Sequence, residues 1–332
     1  MRVGVLDVGS NSAQLLVVDG LPGAPPLPTQ AVKEPTLLAE AIQPDGTIAE
    51  EGVQRVADAV ARAVVSAQHF GVDQLFPFAT SAIRDAANRD DVIERIAQTS
   101  GVRLQFLSGE HEARLTYLAV HRWYGWSAGR ILMLDIGGGS MEIVLGRDAE
   151  PDLAVSLPLG AGRLTRRFLP DDPPSAGQVK RLRRHVRDTL GEVADRLRWE
   201  GGARRAVATS KTFKQLARLA GSPPQRKGPF CRRTLTVGQV REWIPRLADM
   251  SAAKRARLRG VSRSRAAQLL AGAITAHSAM VALDVTEVEV SPWALREGIV
   301  LQYLATLGPG QPIPLQPLSR TPDATVTALP RA

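Results

Sequence analysis

The sequence is poor in cysteine and in aromatic residues, and it has no long apolar run. Cys231 is the only cysteine among 332 residues, so no intrachain disulfide can form and a cysteine-based metal cluster is not expected. Aromatic residues make up 5%, and no RNP-like, zinc-finger or basic-zipper pattern occurs, which argues against a nucleic-acid partner. No stretch could span a bilayer, and residues 1–20 lack the pattern of a signal peptide. We therefore expect a cytoplasmic protein without a membrane partner.

The chain has an ordinary globular composition, but its charge is unevenly placed. Hydrophobic residues make up 44% and charged residues 23%, and the length suffices for two domains. Residues 1–126 carry 10 Lys and Arg against 15 Asp and Glu, whereas residues 127–332 carry 32 against 18. A basic half attracts polyanions. Solvated helix faces in an Arg-rich protein explain any single basic cluster as well, and this alternative stays open.

One motif occurs twice. Residues 6–18 read LDVGSNSAQLLVV and residues 134–145 read LDIGGGSMEIVL, each an apolar strand, a glycine turn and a second apolar strand. Glycine lets backbone N–H groups approach an anion closely, and an Asp at a strand end can hold a cation. The repeat predicts a duplicated domain with two phosphate-handling hairpins that face each other across a cleft. The candidate residues are Asp7, Gly9 and Ser12 in the first copy and Asp135, Gly137, Gly138, Gly139, Ser140 and Glu142 in the second.

Strands and helices alternate along the rest of the chain. Apolar runs predict strands at 75–79, 104–107, 153–157, 206–208 and 287–290. Helical spacing predicts helices at 50–70, 90–100, 110–121, 175–199, 211–220, 264–283 and 295–304, and 21–29 is predicted as a loop. This order predicts an α/β fold. We place an N-terminal domain at 1–126, a C-terminal domain at 127–307 and a Pro-rich tail, expected to be flexible, at 308–332.

Three further segments carry side chains suited to phosphate or to water. Segment 80–85 (TSAIRD) offers hydroxyl groups at a helix start and Arg84 as a bidentate phosphate ligand. Segment 108–113 (SGEHEA) could place one carboxylate in a cleft as a base for water. Segment 209–212 (TSKT) offers Ser210, Lys211 and Thr212 to phosphate. Ordinary helix capping explains each segment as well, so both interpretations stay open on the residues alone.

Taken together, the segments resemble the exopolyphosphatase/guanosine pentaphosphate phosphohydrolase family, within the sugar kinase/Hsp70/actin superfamily. They resemble most its short, two-domain actinobacterial exopolyphosphatases. The matching pieces occur in the family's order and span about residues 2–305. They are DVGSNS (7–12), ATSAIRDAAN (79–88), SGEHEA (108–113), LDIGGGSMEI (134–143), LPLGAGRL (157–164), TSKTF (209–213) and SPWALREG (291–298).

The resemblance implies two ribonuclease-H-like α/β domains with the active site in the cleft between them. It implies that Glu112 is the base that activates water, and that Asp135 and Glu142 serve the metal, Mg²⁺ or Mn²⁺. It also places phosphate-binding segments at Asp7, Ser10, Asn11, Arg84, Gly137 and Ser140. The chain departs from the family pattern at three positions, where His111 replaces a frequent Glu, Lys211 a common Gly, and Ala267 the usual acidic residue.

The activity that the resemblance implies is hydrolysis of the terminal phosphate of inorganic polyphosphate, expected to be of short chain length, by a protein expected to be a homodimer. The nearest alternative is removal of the 5′ terminal phosphate of pppGpp; the basic second half favours polyphosphate. A more distant alternative is an actin-like ATPase or a kinase. Such proteins need an adenosine-binding glycine motif in the second domain, where this chain has TSKTF.

Overall fold

The structure is a computed structural model that describes residues 1–21 and 23–307. The described residues form two β-sheets with helices packed on their faces, which confirms the predicted α/β fold. All strands of the first sheet precede residue 127 and all strands of the second follow it, while the division into domains at that point stays a prediction. The predicted tail, 308–332, lies outside the described residues.

The first sheet has the strand order β3-β2-β1-β4-β5. Strand β1 pairs antiparallel with β2 and parallel with β4, so the chain makes a hairpin and then crosses over. The strands are β1 (Arg2–Val8), β2 (Ser12–Asp19), β3 (Pro28–Pro35), β4 (Gln74–Ala79) and β5 (Gln105–Phe106).

The second sheet has the order β10-β11-β9-β6-β7-β8 and repeats this arrangement. Its central strand β6 pairs antiparallel with β7 and parallel with β9, as β1 does with β2 and β4. The strands are β6 (Ile131–Ile136), β7 (Met141–Gly146), β8 (Leu153–Leu157), β9 (Arg205–Ala208), β10 (Thr234–Thr236) and β11 (Glu287–Val290). The duplication that the repeated motif indicates is therefore present in the fold.

Helices cover both faces of each sheet. In the first half they are α1 (Leu38–Ala41), α2 (Glu50–His69), α3 (Ser81–Arg84), α4 (Arg89–Ser100) and α5 (Gly109–Tyr124). In the second half they are α6 (Ala161–Phe168), α7 (Ala176–Glu200), α8 (Ser210–Leu219), α9 (Val237–Ala248), α10 (Ala252–Arg255), α11 (Arg263–Ala266), α12 (Leu269–Ala282) and α13 (Leu295–Thr306).

Helix α5 lies between the two sheets, and α13 packs beside it against the first sheet. Leu115 of α5 packs with Val5 and Phe78 of the first sheet, in a cluster that also contains residues of α13. Tyr117, two positions further along α5, packs with Met133 of the second sheet. Because α5 buries apolar residues against both sheets, the side chains at its amino-terminal end are held between the two sheets.

The predicted elements differ from the structure at a few places. The single helix predicted at 264–283 is divided into α11 and α12, with a turn at residues 267–268. The buried guanidinium of Arg255 donates to the carbonyl oxygens of Ala266 and Ala267, which a continuous helix would use for its own hydrogen bonds. Strand β3 was not predicted, because it is an edge strand with mostly exposed side chains. Within the described residues, no helix is long and apolar enough to cross a membrane.

Candidate active site

The alternation of side chains along the strands decides where the polar residues of the repeated motif lie. In β1, Leu6 and Val8 join the outer core, whereas Val5 joins the cluster that contains α5 and α13. Asp7 therefore lies on the inner face, because successive side chains point to opposite faces of a sheet. The same alternation places Gln14, Asp135 and Glu142 on inner faces. The residues two positions away on their strands, Leu16, Met133 and Val144, pack in the clusters that contain α5.

The two glycine turns have the same internal geometry. The backbone N–H of Gly9 donates to Ser12 O at 3.1 Å, and that of Gly137 donates to Ser140 O at 2.9 Å. The strand register also matches, because Asp7 lies opposite Gln14 and Asp135 lies opposite Glu142. When the two motifs are aligned on their aspartates, Gly9 matches Gly137, Ser12 matches Ser140 and Gln14 matches Glu142, and the structure reproduces these matches.

The two turns face each other closely. A Cβ added at Gly138 would lie 2.7 Å from Ser10 Oγ, and one added at Gly139 would overlap the hydroxyl of Ser81. The Ser10 hydroxyl could rotate away from a side chain at Gly138, whereas a side chain at Gly139 would force the second turn away from α3, so this approach requires glycine at position 139.

A cleft of about 380 Å³ opens between the turns and is lined from both halves of the chain. Thirteen of the sixteen site residues that the sequence predicted line it. They are Asp7, Gly9, Ser10, Asn11, Ser12, Glu112, Asp135, Gly137, Gly138, Ser140, Glu142, Ser210 and Lys211.

Three predicted residues do not line this cleft. Arg84 lies beside it, where it donates to Glu112. Gly139 lines a smaller cavity on the far side of the turns. Thr212 is buried, and its hydroxyl donates to Ile136 O at 2.8 Å, so that this group is engaged in holding α8 to the end of β6.

Glu112 is held at the start of α5. Ser108 caps the helix, its Oγ accepting from the backbone N–H of His111 at 3.1 Å. Glu112 is only 7% exposed, and its Oε1 accepts from Arg84 Nη1 at 3.0 Å. Burial, and after it the negative charge of Glu142, raises the pKa of Glu112 to about 8, while Arg84 opposes this shift. A carboxyl group in such a site can take up a proton near neutral pH.

Three further carboxyl groups lie within the cleft. Burial raises the pKa of Asp7 and of Asp135, and burial together with Asp135 raises the pKa of Glu142 to about 7. Glu142 accepts from Ser156 Oγ at 2.9 Å, whereas Oδ1 of Asp7 is buried without a hydrogen-bond partner. An unpartnered buried carboxylate oxygen is costly unless a cation or a protonated ligand meets it.

These groups fit a divalent cation that shares its coordination with substrate and water. Within the part of the chain that the structure describes, no three acidic, histidine or cysteine side chains converge as a complete metal cage. Mg²⁺ characteristically binds one or two carboxylates together with phosphate oxygens and several waters. Asp135 and Glu142, paired across β6 and β7, could supply such carboxylates.

Basic residues line the same cleft. Five cationic side chains line it, namely Lys33, Lys211, Lys214, Arg265 and Arg296. Only Lys211 was a predicted site residue. Lys214 could have been found, because it lies three residues after Lys211 on the same helix face. Lys33 and Arg265 carry no local signal, since only the tertiary fold brings them to the cleft.

An arginine outside the predicted set joins the two halves behind the cleft. Arg163 of α6 donates through Nε to Gly139 O at 2.8 Å and pairs with the carboxylate of Asp85. Asp85 also accepts from Arg84, which in turn binds Glu112. A continuous chain of hydrogen bonds therefore connects the second glycine turn to Glu112.

Residues 28–307 match the protein family described as the Ppx/GppA phosphatase family. Exopolyphosphatase 1 of Mycobacterium tuberculosis (strain ATCC 25618 / H37Rv) is 50% identical over 304 residues, which cover 92% of this chain and 88% of that protein. The crystal structure of an Aquifex aeolicus Ppx/GppA family member has a TM-score of 0.76 at 26% identity, covering 93% of this chain and 99% of that one. An exopolyphosphatase structure from Cytophaga hutchinsonii has a TM-score of 0.83 at 23% identity, covering 92% and 98%, and this likeness shows the shared fold.

Proposed function

Because this chain belongs to the Ppx/GppA phosphatase family, we propose that it is an exopolyphosphatase, a hydrolase that releases orthophosphate from the end of inorganic polyphosphate. One observation carries the proposal. A buried carboxyl group, Glu112, is held by Arg84 in a cleft where two glycine turns meet. Such a cleft offers backbone donors for phosphate oxygens and a base for water at the same place.

In the mechanism that we propose, Glu112 orients a water molecule and takes its proton. The water oxygen forms a bond to the terminal phosphorus, and the bond from that phosphorus to the bridging oxygen breaks. Orthophosphate is released, and the bridging oxygen stays with the chain, which is now one phosphate shorter. Most of the rate acceleration would come from positioning and from neutralised charge, as in other phosphoryl transfers.

The chain's own residues divide these tasks. The N–H groups and hydroxyls of the two turns, among them Ser10, Asn11 and Ser140, bind the terminal phosphate. Arg84 holds the Glu112 carboxylate in place through its hydrogen bond. The buried position of Glu112 limits the water around the base and keeps the group basic enough to accept a proton.

Membership of the family implies a divalent metal, and we propose Mg²⁺ or Mn²⁺. Asp135 and Glu142 are the residues that would hold it, and Asp7, with its unpartnered Oδ1, lies in the same cleft. A bound divalent cation supplies charge neutralisation on the phosphate oxygens and on the departing chain.

The cleft holds charges of both signs, which suits a polyanion that binds together with a cation. Four carboxyl groups and five cationic side chains line it. We propose that the terminal phosphate lies with the cation beside the carboxyl groups, and that the cationic side chains neutralise the phosphates that follow it. The expected homodimer and the cytoplasmic location stay predictions.

Release of orthophosphate from short polyphosphate, pppGpp and ATP, each with and without Mg²⁺, tests the function. We expect metal-dependent release from polyphosphate with a kcat/KM well above that for the two nucleotides. A higher kcat/KM for pppGpp than for polyphosphate would show that pppGpp is the preferred substrate. Turnover of ATP alone, or phosphorylation of a sugar, would favour the kinase or ATPase alternative.

A further inference from the structure

A second cavity adjoins the cleft. It has a volume of about 210 Å³ and shares Lys211, Lys214 and Gln225 with the cleft. We call it the side pocket; Arg218 and Arg233 also line it. Because three residues line both cavities, a linear ligand that leaves the cleft past Lys211 meets the side pocket next.

The described residues that line the side pocket are basic or uncharged and include no acid, although Glu297 and Asp135 stand near Lys214. Of the ten described residues that line it, four are cationic and none is acidic. Lys214 donates only to the carbonyl oxygen of Pro292, at 3.3 Å. Across the ranges 1–21 and 23–307, no salt bridge involves Lys211, Lys214 or Arg218, in contrast to Arg84, Arg130 and Arg163. Unpaired cations gathered at one cavity attract an anion.

The positive surface continues beyond the pocket. Desolvation of the Arg218 guanidinium lowers its pKa, and the nearby positive charges of Arg259 and Arg226 lower it further. Arg226 lies on the short 3-10 helix Gln225–Lys227, and both Arg226 and Arg259 are exposed. The basic residues thus form a path from the cleft through the side pocket to the surface.

Arg233 has a different task from the other cations. It is buried, and its guanidinium donates to the carbonyl oxygens of Pro223, Pro224, Gly228 and Cys231. These bonds use the donors of Arg233 to fix the loop that forms one wall of the pocket. The side chains left to meet a ligand are therefore Lys211, Lys214 and Arg218.

We propose that the side pocket is a second anion subsite, which binds phosphate units of a polyphosphate chain beyond the bond that is cleaved. The proposal rests on the proposed function and adds a source of chain-length selectivity. None of the ten described lining residues is aromatic, so the pocket has no platform on which a nucleobase would stack. Its chemistry therefore fits phosphates of a chain better than the nucleoside of pppGpp.

The consequence is a dependence of affinity on chain length. On this proposal, tripolyphosphate with its end in the cleft would not extend along the path beyond Lys211, whereas a long chain would gain the additional contacts there. We expect the unaltered protein to bind long-chain polyphosphate about tenfold more tightly than tripolyphosphate, a ratio that falls as salt rises.

The test reverses the charge of Arg218 (Arg218→Glu) and, separately, of the exposed Arg226 (Arg226→Glu). The second variant covers the case in which Arg218→Glu fails to fold, since Arg218 also donates to Ser222 O. The matched control is Arg184→Glu on α7, exposed and outside both cavities. Dissociation constants for tripolyphosphate and long-chain polyphosphate are measured by calorimetry in a Glu112→Gln background, and KM values for both are measured without that change.

Both reversals should bring the ratio between the two dissociation constants close to one, and the ratio of KM values should follow, while Arg184→Glu keeps the ratio of the parent. A ratio unchanged by Arg218→Glu and Arg226→Glu would overturn the subsite, even with normal hydrolysis. If the unaltered protein hydrolyses neither substrate, but the two charge reversals still abolish the ratio of dissociation constants, the proposed function would be overturned and the subsite would be kept. Equal loss in Arg184→Glu would mean that net charge alone acts, and this too would overturn the subsite.

Discussion

The two glycine hairpins share their backbone and differ in charge at one paired position. In the first, Asp7 lies opposite Gln14, whose Oε1 accepts from Arg296 Nη1 at 3.0 Å. In the second, Asp135 lies opposite Glu142, whose carboxylate accepts from Ser156. One hairpin therefore presents a single carboxyl group beside an arginine, and the other presents two carboxyl groups together.

This difference in charge suits the two hairpins to different roles, one to binding a cation and the other to binding phosphate. Two adjacent buried carboxyl groups repel each other, and Asp135 is a cause of the raised pKa of Glu142, so the second hairpin gains most from a cation. In the first hairpin the positive charge of Arg296 offsets the negative charge of the single carboxylate, Asp7, so less negative charge remains there to repel phosphate oxygens. The same fold thus gives a cation side and a phosphate side.

The largest effect is expected at Glu112, the acid that stands between the hairpins. Glu112→Gln should lower kcat by roughly 10²- to 10⁴-fold, because the amide cannot take a proton from water. Polyphosphate affinity should stay near that of the parent, as measured by calorimetry. Glu110→Gln, an exposed acid in the same helical turn that pairs with Arg114, is the control and should stay active. Equal losses of kcat in the two variants would show that Glu112 is not the base that activates water.

The next effect comes from making the second hairpin resemble the first. Glu142→Gln removes one of the two paired carboxylates and should raise the Mg²⁺ concentration for half-maximal activity roughly 10- to 100-fold. Magnesium titrations of phosphate release measure this. An unchanged magnesium dependence would place the cation elsewhere.

A smaller effect concerns the pH at which Glu112 becomes a base. Its pKa is raised by burial and by Glu142, and Arg84 lowers it. Because the carboxylate is the active form, kcat/KM should rise with pH through a midpoint above the ordinary value of 4.5. Arg84→Met removes the lowering influence and should move that midpoint upward by about one pH unit.

The control for this pH profile is Arg114→Met, which removes an arginine that pairs with Glu110 and Glu150 on the exposed side of α5. Its midpoint should equal that of the parent. A downward shift in Arg84→Met, or the same midpoint in all three proteins, would contradict the pairing of Arg84 with the base.

The smallest effect comes from the reciprocal exchange. Gln14→Glu gives the first hairpin the charge of the second and places a carboxylate next to Arg296. Partial neutralisation of Arg296 should raise KM for polyphosphate by roughly 2- to 5-fold and leave the magnesium dependence as in the parent. Steady-state kinetics at fixed and varied magnesium separate the two quantities. A magnesium shift as large as that of Glu142→Gln would show that the hairpins are equivalent.

The sequence was sufficient to predict the two hairpins, but of the five cationic residues that line the cleft it predicted only Lys211 as a site residue. The repeat predicted which residues align, because a strand period of two and a tight turn leave one register. Lys33 and Arg265 were not predicted as site residues, since each reaches the cleft only through packing of distant elements. The break before α12 was missed because it depends on Arg255, a residue from another helix.

The central claim is that water, oriented by Glu112, attacks the terminal phosphorus of a polyphosphate chain. Hydrolysis of a chain of defined length in ¹⁸O-labelled water tests it most directly, with mass spectrometry of the products at low conversion. The account predicts one labelled oxygen in each orthophosphate, an unlabelled chain shortened by one phosphate, and hardly any turnover in Glu112→Gln. Label in the shortened chain, or fragments from internal cleavage, would contradict it.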